Sequence, residues 1–362
     1  MKTYHLFQFG KGNIGGALIK QVVHRVDAMQ TQYGFHFEYV GVCGQSQAVY
    51  DQAGLNESLK QTNINQMLTN YPGHIAYPGS MAMLDTVLKN NPPNLCVIDT
   101  TSAEMTDVHL TCLRQGIPVI TANKKPIADD YSAYDEIQRL GRGSTFRYWY
   151  ETTAGAGLPV ISSIKELVDT GDTVLEIAGC LSGTLGYICS QLDTGCAFSD
   201  IVVEAQALGF TEPDPREDLN GMDVARKALI LAREIGYILN MSDLHVDGMV
   251  SDTLLEAPSV DAFMALLSQE DEVYARRMAA AREQGQVLRY MATVKNGACQ
   301  VGLQSVPLDS PTGSLTGPDN IVVCTTARYK DNPLVIRGPG AGPEVTAGGL
   351  FGDLIKAARV ID

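Results

Sequence analysis

The chain has 362 residues, 45% of them hydrophobic and 19% charged, which suits two globular domains at ~100–200 residues each. Its formal net charge of -14 excludes the basic surface that general nucleic-acid or anionic-membrane binding requires. No apolar run approaches the ~18 residues that span a bilayer, and Thr3-Tyr4-His5-Leu6 follows the start without a signal-peptide core, so a soluble, cytoplasmic protein is expected. Eight cysteines lack CxxC spacing and sit in runs such as Leu95-Cys96-Val97-Ile98, as buried thiols do. The histidines form no metal-type pair.

In chain order, the apolar strand Leu6-Phe7-Gln8-Phe9, an amphipathic helix over 14–26 and the strand 37–42 make a β-α-β start. A helix over 81–89, a buried strand over 95–99, a helix over 104–114 and a strand over 118–121 continue the alternation. That pattern predicts an α/β fold with a parallel sheet covered on both faces. After Tyr150, Gly155, Gly157 and Pro159 break the pattern before a helix over 161–168. The first domain is therefore expected over 1–150, and the second begins at 151. Helices over 200–207 and 222–235 flank a proline-rich turn at 212–215. Alternating strands over 287–294 and 300–306 predict an antiparallel or mixed sheet, and a final helix covers 350–358.

The first strand runs into Gly10-Lys11-Gly12-Asn13-Ile14-Gly15, which is GxGxxG between a strand and a helix. Gly10 permits the tight turn, Gly12 a close backbone approach to a pyrophosphate, and Gly15 close helix packing, with helix-start N–H groups facing the anion. A glycine turn of another α/β fold is the alternative. The second strand ends Val42-Cys43-Gly44-Gln45-Ser46, without the acidic residue that binds a free ribose 2′-hydroxyl. NADP is mildly favoured over NAD on that ground. Lys11 either adds charge beside a 2′-phosphate or is simply exposed.

The segment from Thr211 to Lys227 concentrates carboxylates before a helix on which Asp223 and Lys227 share one face. It is either a solvated ion pair behind a turn or a fixed set of acceptors for an ammonium group. Lys124 and Lys125 follow a parallel strand, whose carboxyl end is where ligands bind; either lysine could enter a cleft, or both could be solvated.

Together with the glycine loop, Asp99-Thr100-Thr101-Ser102, Thr121-Ala122-Asn123-Lys124-Lys125-Pro126, residues 151–159, Leu181-Ser182-Gly183-Thr184-Leu185, residues 212–227, Gly338-Pro339-Gly340-Ala341-Gly342 and Thr346-Ala347-Gly348-Gly349 resemble the homoserine dehydrogenase family, in order over nearly the whole chain. The resemblance implies a Rossmann-type cofactor domain and a second α+β catalytic and dimerisation domain. The cofactor domain is discontinuous, 1–150 plus 337–362, with the second over 151–336. It implies reversible NAD(P)-linked interconversion of L-homoserine and L-aspartate 4-semialdehyde on the route to threonine and methionine. Residues matching the substrate pocket are Gly183, Thr184, Glu212, Asp218 and Asp223. Lys227 matches the catalytic acid/base, with Lys124 as second candidate. A base beside Asp223 is weakened by the neighbouring carboxylate, so burial has to offset it.

Cofactor contacts are implied at Gly10, Lys11, Gly12, Asn13, Ile14, Gly15, Thr101, Ser102, Lys124, Gly209 and Gly342. Glu151 with the backbone of Ala154, Ala156 and Leu158 resembles the family's monovalent-cation loop, suited to sodium. A homodimer is implied. Phe210 stands where a tyrosine is usual, and Gly186 replaces a common asparagine. No kinase domain precedes and no regulatory extension follows, so neither aspartokinase activity nor a threonine effector domain is expected. The competing readings are a reductase of another amino-acid aldehyde and a non-catalytic dinucleotide sensor. Aspartate-semialdehyde dehydrogenase is disfavoured, because no activated cysteine with a histidine base stands out.

Overall fold

The computed structural model describes residues 2–142 and 145–360; residues 1, 143–144 and 361–362, which the expected cofactor domain includes, lie outside them. The chain forms two compact units, Met1–Gly157 with Gly342–Asp362, and Leu158–Ala341.

The first unit holds β1 (Lys2–Phe9), β2 (Phe35–Cys43), β3 (Gln47–Tyr50), β4 (His74–Ala76), β5 (Leu95–Asp99), β6 (Val119–Thr121) and β7 (Tyr148–Trp149), in the sheet order β4-β3-β2-β1-β5-β6-β7. β1, β2, β5, β6 and β7 pair in parallel, and β3 and β4 add an antiparallel edge. The chain reverses its direction of travel across the sheet at β1 and β5. The carboxyl ends of these two strands therefore bound the crevice in which a doubly wound fold takes its ligand.

On one side of this sheet the helix Asn13–Tyr33 buries Leu18, Val22 and Val23 against Leu6, Phe37 and Tyr39. The final helix, Pro343–Val360, adds Ala347, Leu350 and Leu354 to the same core, and Tyr4 Oη donates to Ala358 O at 2.6 Å. Residues 151–157 stay with this unit because they pack on that helix: Glu151 N donates to Asp353 Oδ2 at 2.9 Å, and a Cβ on Gly157 would lie 2.5 Å from Val345 O. Residues 337–341 go the other way, since 337–339 end a strand that is hydrogen-bonded into the second sheet. The boundaries accordingly fall at 158 and 342, not at 151 and 337.

The second unit carries β8 (Val174–Cys180), β9 (His245–Val246), β10 (Gln286–Lys295), β11 (Ala298–Pro307), β12 (Asp319–Thr326) and β13 (Leu334–Pro339), in the order β13-β12-β8-β10-β11-β9. All neighbours are antiparallel except β9 and β11. β10 and β11 are joined by Asn296-Gly297, both at positive φ, the two-residue turn whose twist matches a hairpin. The helix Met222–Glu234 buries Val224, Ala228, Leu229 and Leu231. No helix among the described residues is long and apolar enough to cross a membrane.

Candidate active site

In the first unit, Gly10 has φ +92° and its N–H donates to Cys43 O at 3.0 Å, which ties the loop to the end of β2. A Cβ here would lie 2.7 Å from Thr100 Oγ1, and one on Gly15 only 2.3 Å from Gly10 O. Internal packing therefore demands glycine at 10 and 15. At Gly12 it does not, for a Cβ would meet nothing within 4 Å. What remains to require glycine at 12 is the close approach of something outside the protein. Gly12 is the N-cap of the Asn13–Tyr33 helix, with no side-chain cap and no acidic residue in the first turn, so Asn13 and Ile14 open a helix whose N–H groups suit an anion.

Lys11 reaches sideways from the loop, Nζ bonding Asn65 Oδ1, and its Cε would lie 3.1 Å from a Cβ on Gly44. Its side chain thus lies over the end of β2, where the missing acidic residue would stand. Thr101 follows β5, and Lys124 starts the short helix Lys125–Ala128 after β6. Ser102 is exposed between them in chain order. Gly342, at φ +121°, accepts from Thr346 N at 3.0 Å before the final helix.

The second unit gathers a different set. Ser182 caps the helix Gly183–Leu192, its Oγ accepting from Leu185 N at 3.2 Å. Thr184 Oγ1 lies 3.0 Å from Asp218 Oδ1 and 2.6 Å from Phe210 O, and Asp218 Oδ2 accepts from Glu212 N at 2.8 Å. One carboxylate thereby joins the start of a helix to both sides of the acidic turn. Burial pushes Asp218 above the usual carboxylate range, reinforced by the charges of Glu212 and Asp223 and opposed by its hydrogen bonds.

Lys227 Nζ donates to Leu181 O at 2.7 Å and lies 2.7 Å from Asp223 Oδ2, with side-chain exposures of 10% for the lysine and 48% for the aspartate. The pair is therefore not a solvated helix-surface bridge: its lysine is enclosed and tied to a second element. One carboxylate of the turn is occupied elsewhere. Asp214 is bonded by Arg216 at 2.6 Å, which holds it below the usual range, and Arg216 also donates to Ala257 O.

Gly209, expected at the cofactor, ends the helix Phe198–Ala207 in this second unit at φ +73°. Phe210 contributes its carbonyl, while its ring packs on Tyr187 with centroids 4.6 Å apart. At Gly186, a Cβ would lie 3.1 Å from Gly317 O, so an asparagine there would push the 317 turn away.

The expected cation loop is divided. Glu151, Ala154 and Ala156 are buried in the first unit, whereas Leu158 begins the second. Ala156 adopts φ +52°, a left-handed conformation unusual for alanine. Lys356 Nζ stands 3.8 Å from Glu151 Oε2 and 3.1 Å from Asp353 Oδ1. Two buried carboxylates thus lie beside one ammonium. No group of three or more His, Cys, Asp or Glu among the described residues could hold a metal by side chains alone.

Two residues around the first unit's strand ends carry no role in the sequence pattern. His109 and Tyr148 sit in ordinary amphipathic and apolar stretches, and only the fold brings them to Asp99.

Family models match both parts of the chain: homoserine dehydrogenase over residues 159–355, and homoserine dehydrogenase, NAD binding domain, over residues 10–151. The chain is 40% identical over 357 residues to a chloroplastic bifunctional aspartokinase/homoserine dehydrogenase 2 of Zea mays, covering 97% of this chain and 38% of that protein. It spans about two-fifths of the length of such bifunctional relatives. To the homoserine dehydrogenase of Schizosaccharomyces pombe it is 34% identical, covering 96% of this chain and 93% of the other. Among solved structures, a Candida auris protein of unknown function superposes with TM-score 0.88 at 31% identity, over 99% of both chains. A hyperthermophilic archaeal homoserine dehydrogenase in complex with NADPH, 23% identical with TM-score 0.74 over 99% of both chains, shares the fold.

Proposed function

The chain belongs to the homoserine dehydrogenase family, and from that premise we propose that it oxidises L-homoserine to L-aspartate 4-semialdehyde, and reduces it back, with a nicotinamide dinucleotide. The observation that carries this reading is the enclosed Lys227, held 2.7 Å from both Leu181 O and Asp223 Oδ2, in the same unit as the Thr184, Asp218 and Glu212 cluster. Oxidation of a primary alcohol removes a hydroxyl proton and a hydride. Lys227 takes the proton in that direction and returns it in the other. Asp223 and Glu212 hold the substrate ammonium or hydroxyl, and Asp218 fixes the turn by its bonds to Thr184 and Glu212 N. Lys124 is the second candidate for the proton or for steadying developing alkoxide charge.

The bound dinucleotide supplies the hydride acceptor at nicotinamide C4. Gly10 to Gly15 hold its pyrophosphate, with Thr101, Ser102, Lys124, Gly209 and Gly342 as further contacts. NADP is the preferred form in this reading, because Lys11 lies over the end of β2, where no carboxylate would repel a 2′-phosphate. Glu151 and the backbone of Ala154, Ala156 and Leu158, the residues that match the family's cation loop, would hold a sodium ion. The resemblance further supports a homodimer.

The test is NADPH consumption with aspartate semialdehyde by wild type and Lys227→Ala. Wild-type turnover with a loss of about 10²–10⁴ in kcat for the variant is expected. Equal rates would remove Lys227 from the chemistry, and no turnover by either would sink the enzymatic assignment.

A further inference from the structure

At the carboxyl edge of the first sheet, Asp99 is the last residue of β5 and has no exposed surface. Three donors converge on its carboxylate, and the His109 ring lies beside them. Thr101 N and Thr101 Oγ1 donate to Oδ1 at 2.8 and 2.7 Å, and Asn123 Nδ2 donates to Oδ2 at 2.9 Å. His109 Nε2 lies 3.0 Å from the same Oδ2. A carboxylate whose two oxygens both accept from these three donors is in its acceptor-only, ionised form. That leaves His109 Nε2 carrying a proton toward Asp99, and its Nδ1 facing Tyr148 Oη at 2.9 Å. Burial, reinforced by the charge of Asp99, holds Tyr148 well above its ordinary range, as an un-ionised phenol.

A charge buried this deeply is costly in a merely structural setting, where well-packed apolar side chains usually serve as well or better. Its partners point to what it does. Thr101 lies two residues past the β5 end, and Asn123 precedes Lys124 after the β6 end. Asn123 also donates to Ala103 O at 2.8 Å and accepts from Lys125 N at 3.1 Å, so its amide links both loops. Thr100, between Asp99 and Thr101, donates to Gly10 O at 2.9 Å. The loops after β1, β5 and β6, each holding expected cofactor residues, are thus fixed to one another through Asp99 and its neighbour.

We propose that Asp99, oriented from behind by His109, is a positioning residue for the dinucleotide: it sets the backbone of residues 100–103 and the start of the Lys124 helix in the geometry that binds the cofactor and presents Lys124. The proposal rests on the functional reading above. Asp99→Asn keeps size and still accepts from Thr101, but turns an NH₂ toward the Asn123 amide, so two donors meet and the 123–124 loop must move.

The experiment is fluorescence titration of the purified chain with NADPH, together with thermal unfolding, for wild type, Asp99→Asn, Asn123→Ala and Tyr148→Phe. Tyr148→Phe removes the end of the chain of contacts remote from the loops, and so reports the cost to stability alone. Expected are an NADPH Kd raised tenfold or more by Asp99→Asn and at least threefold by Asn123→Ala, with Tyr148→Phe within twofold of wild type even if its Tm falls. Should Asp99→Asn not fold, Asn123→Ala decides. A Kd within twofold of wild type for both loop variants overturns the proposal, as does a Tyr148→Phe shift as large as theirs. Failure of wild type to bind NADPH or NADP would instead overturn the functional reading, and the positioning role with it.

Discussion

Replacing Gly221 by alanine perturbs the second unit at one atom. Gly221 is the N-cap of the Met222–Glu234 helix at φ +74°, and a Cβ there would lie 1.8 Å from Tyr290 Oη and 2.9 Å from Tyr290 Cζ. The left-handed backbone costs an alanine about 1 kcal/mol. Tyr290 is buried and must shift, an overpacking cost of about 1–3 kcal/mol. Its hydroxyl donates to Asp247 O at 2.8 Å, and breaking that bond adds about 1–3 kcal/mol. A loss of about 3–7 kcal/mol is expected, a large part of the ~5–15 kcal/mol that holds a typical domain.

Because the chain has two units, peptide-resolved hydrogen exchange over the Met222–Glu234 helix is the assay, since it reads the second unit separately. Tyr290→Phe should rescue, for the worst contact is with the hydroxyl. Alone it should cost about 1 kcal/mol. Combined with Gly221→Ala, the total should fall below the sum of the single effects by about 1–3 kcal/mol. Additivity within ~0.5 kcal/mol would show that the hydroxyl contact is not what requires glycine. The helix carries Asp223 and Lys227, so kcat should recover with stability in the double variant.

Three further outcomes are expected. Lys11→Ala should weaken NADP binding about tenfold and leave NAD binding within about twofold, since a charged contact to phosphate contributes ~1.5 kcal/mol; equal effects on both would remove Lys11 from the 2′ position. Asp218, raised above its ordinary range by burial, should protonate at a higher pH than an exposed aspartate, so kcat/KM for homoserine should fall as pH drops through that raised value. Its folded pKa exceeds its unfolded one, so ionisation costs stability as pH rises between the two, and Asp218→Asn should flatten the stability profile there; an unchanged profile would refute the shift. Seven of the eight cysteines are buried and Cys196 is exposed, all as free thiols, so a thiol reagent should label one site rapidly in the native chain and all eight after denaturation.

Local sequence chemistry carried much of this protein. Strand and helix alternation, with GxGxxG placed between the first strand and helix, specifies the parallel sheet because period and turn residues act over a few positions. The spacing of Asp223 and Lys227 puts them on one helix face for the same reason. Short elements escaped: β3 and β4 have four and three residues, too few to establish a period. β8, β12 and β13 escaped too, although β12 is eight residues long and almost wholly buried, because a short apolar run does not distinguish strand from buried helix.

Tertiary structure decided what depends on partners far apart in the chain. Residues 151–157 belong to the first unit through the final helix, some 200 positions on, and 337–341 to the second through pairing with β12. Arg216 occupies Asp214, which the acidic composition of the turn does not show by itself. His109 is an ordinary helix residue in sequence, and it meets Asp99 and Tyr148 only because the fold brings its helix beside the end of β5 and the start of β7. Which side chains are neighbours is set by packing, and packing is not a local property of sequence.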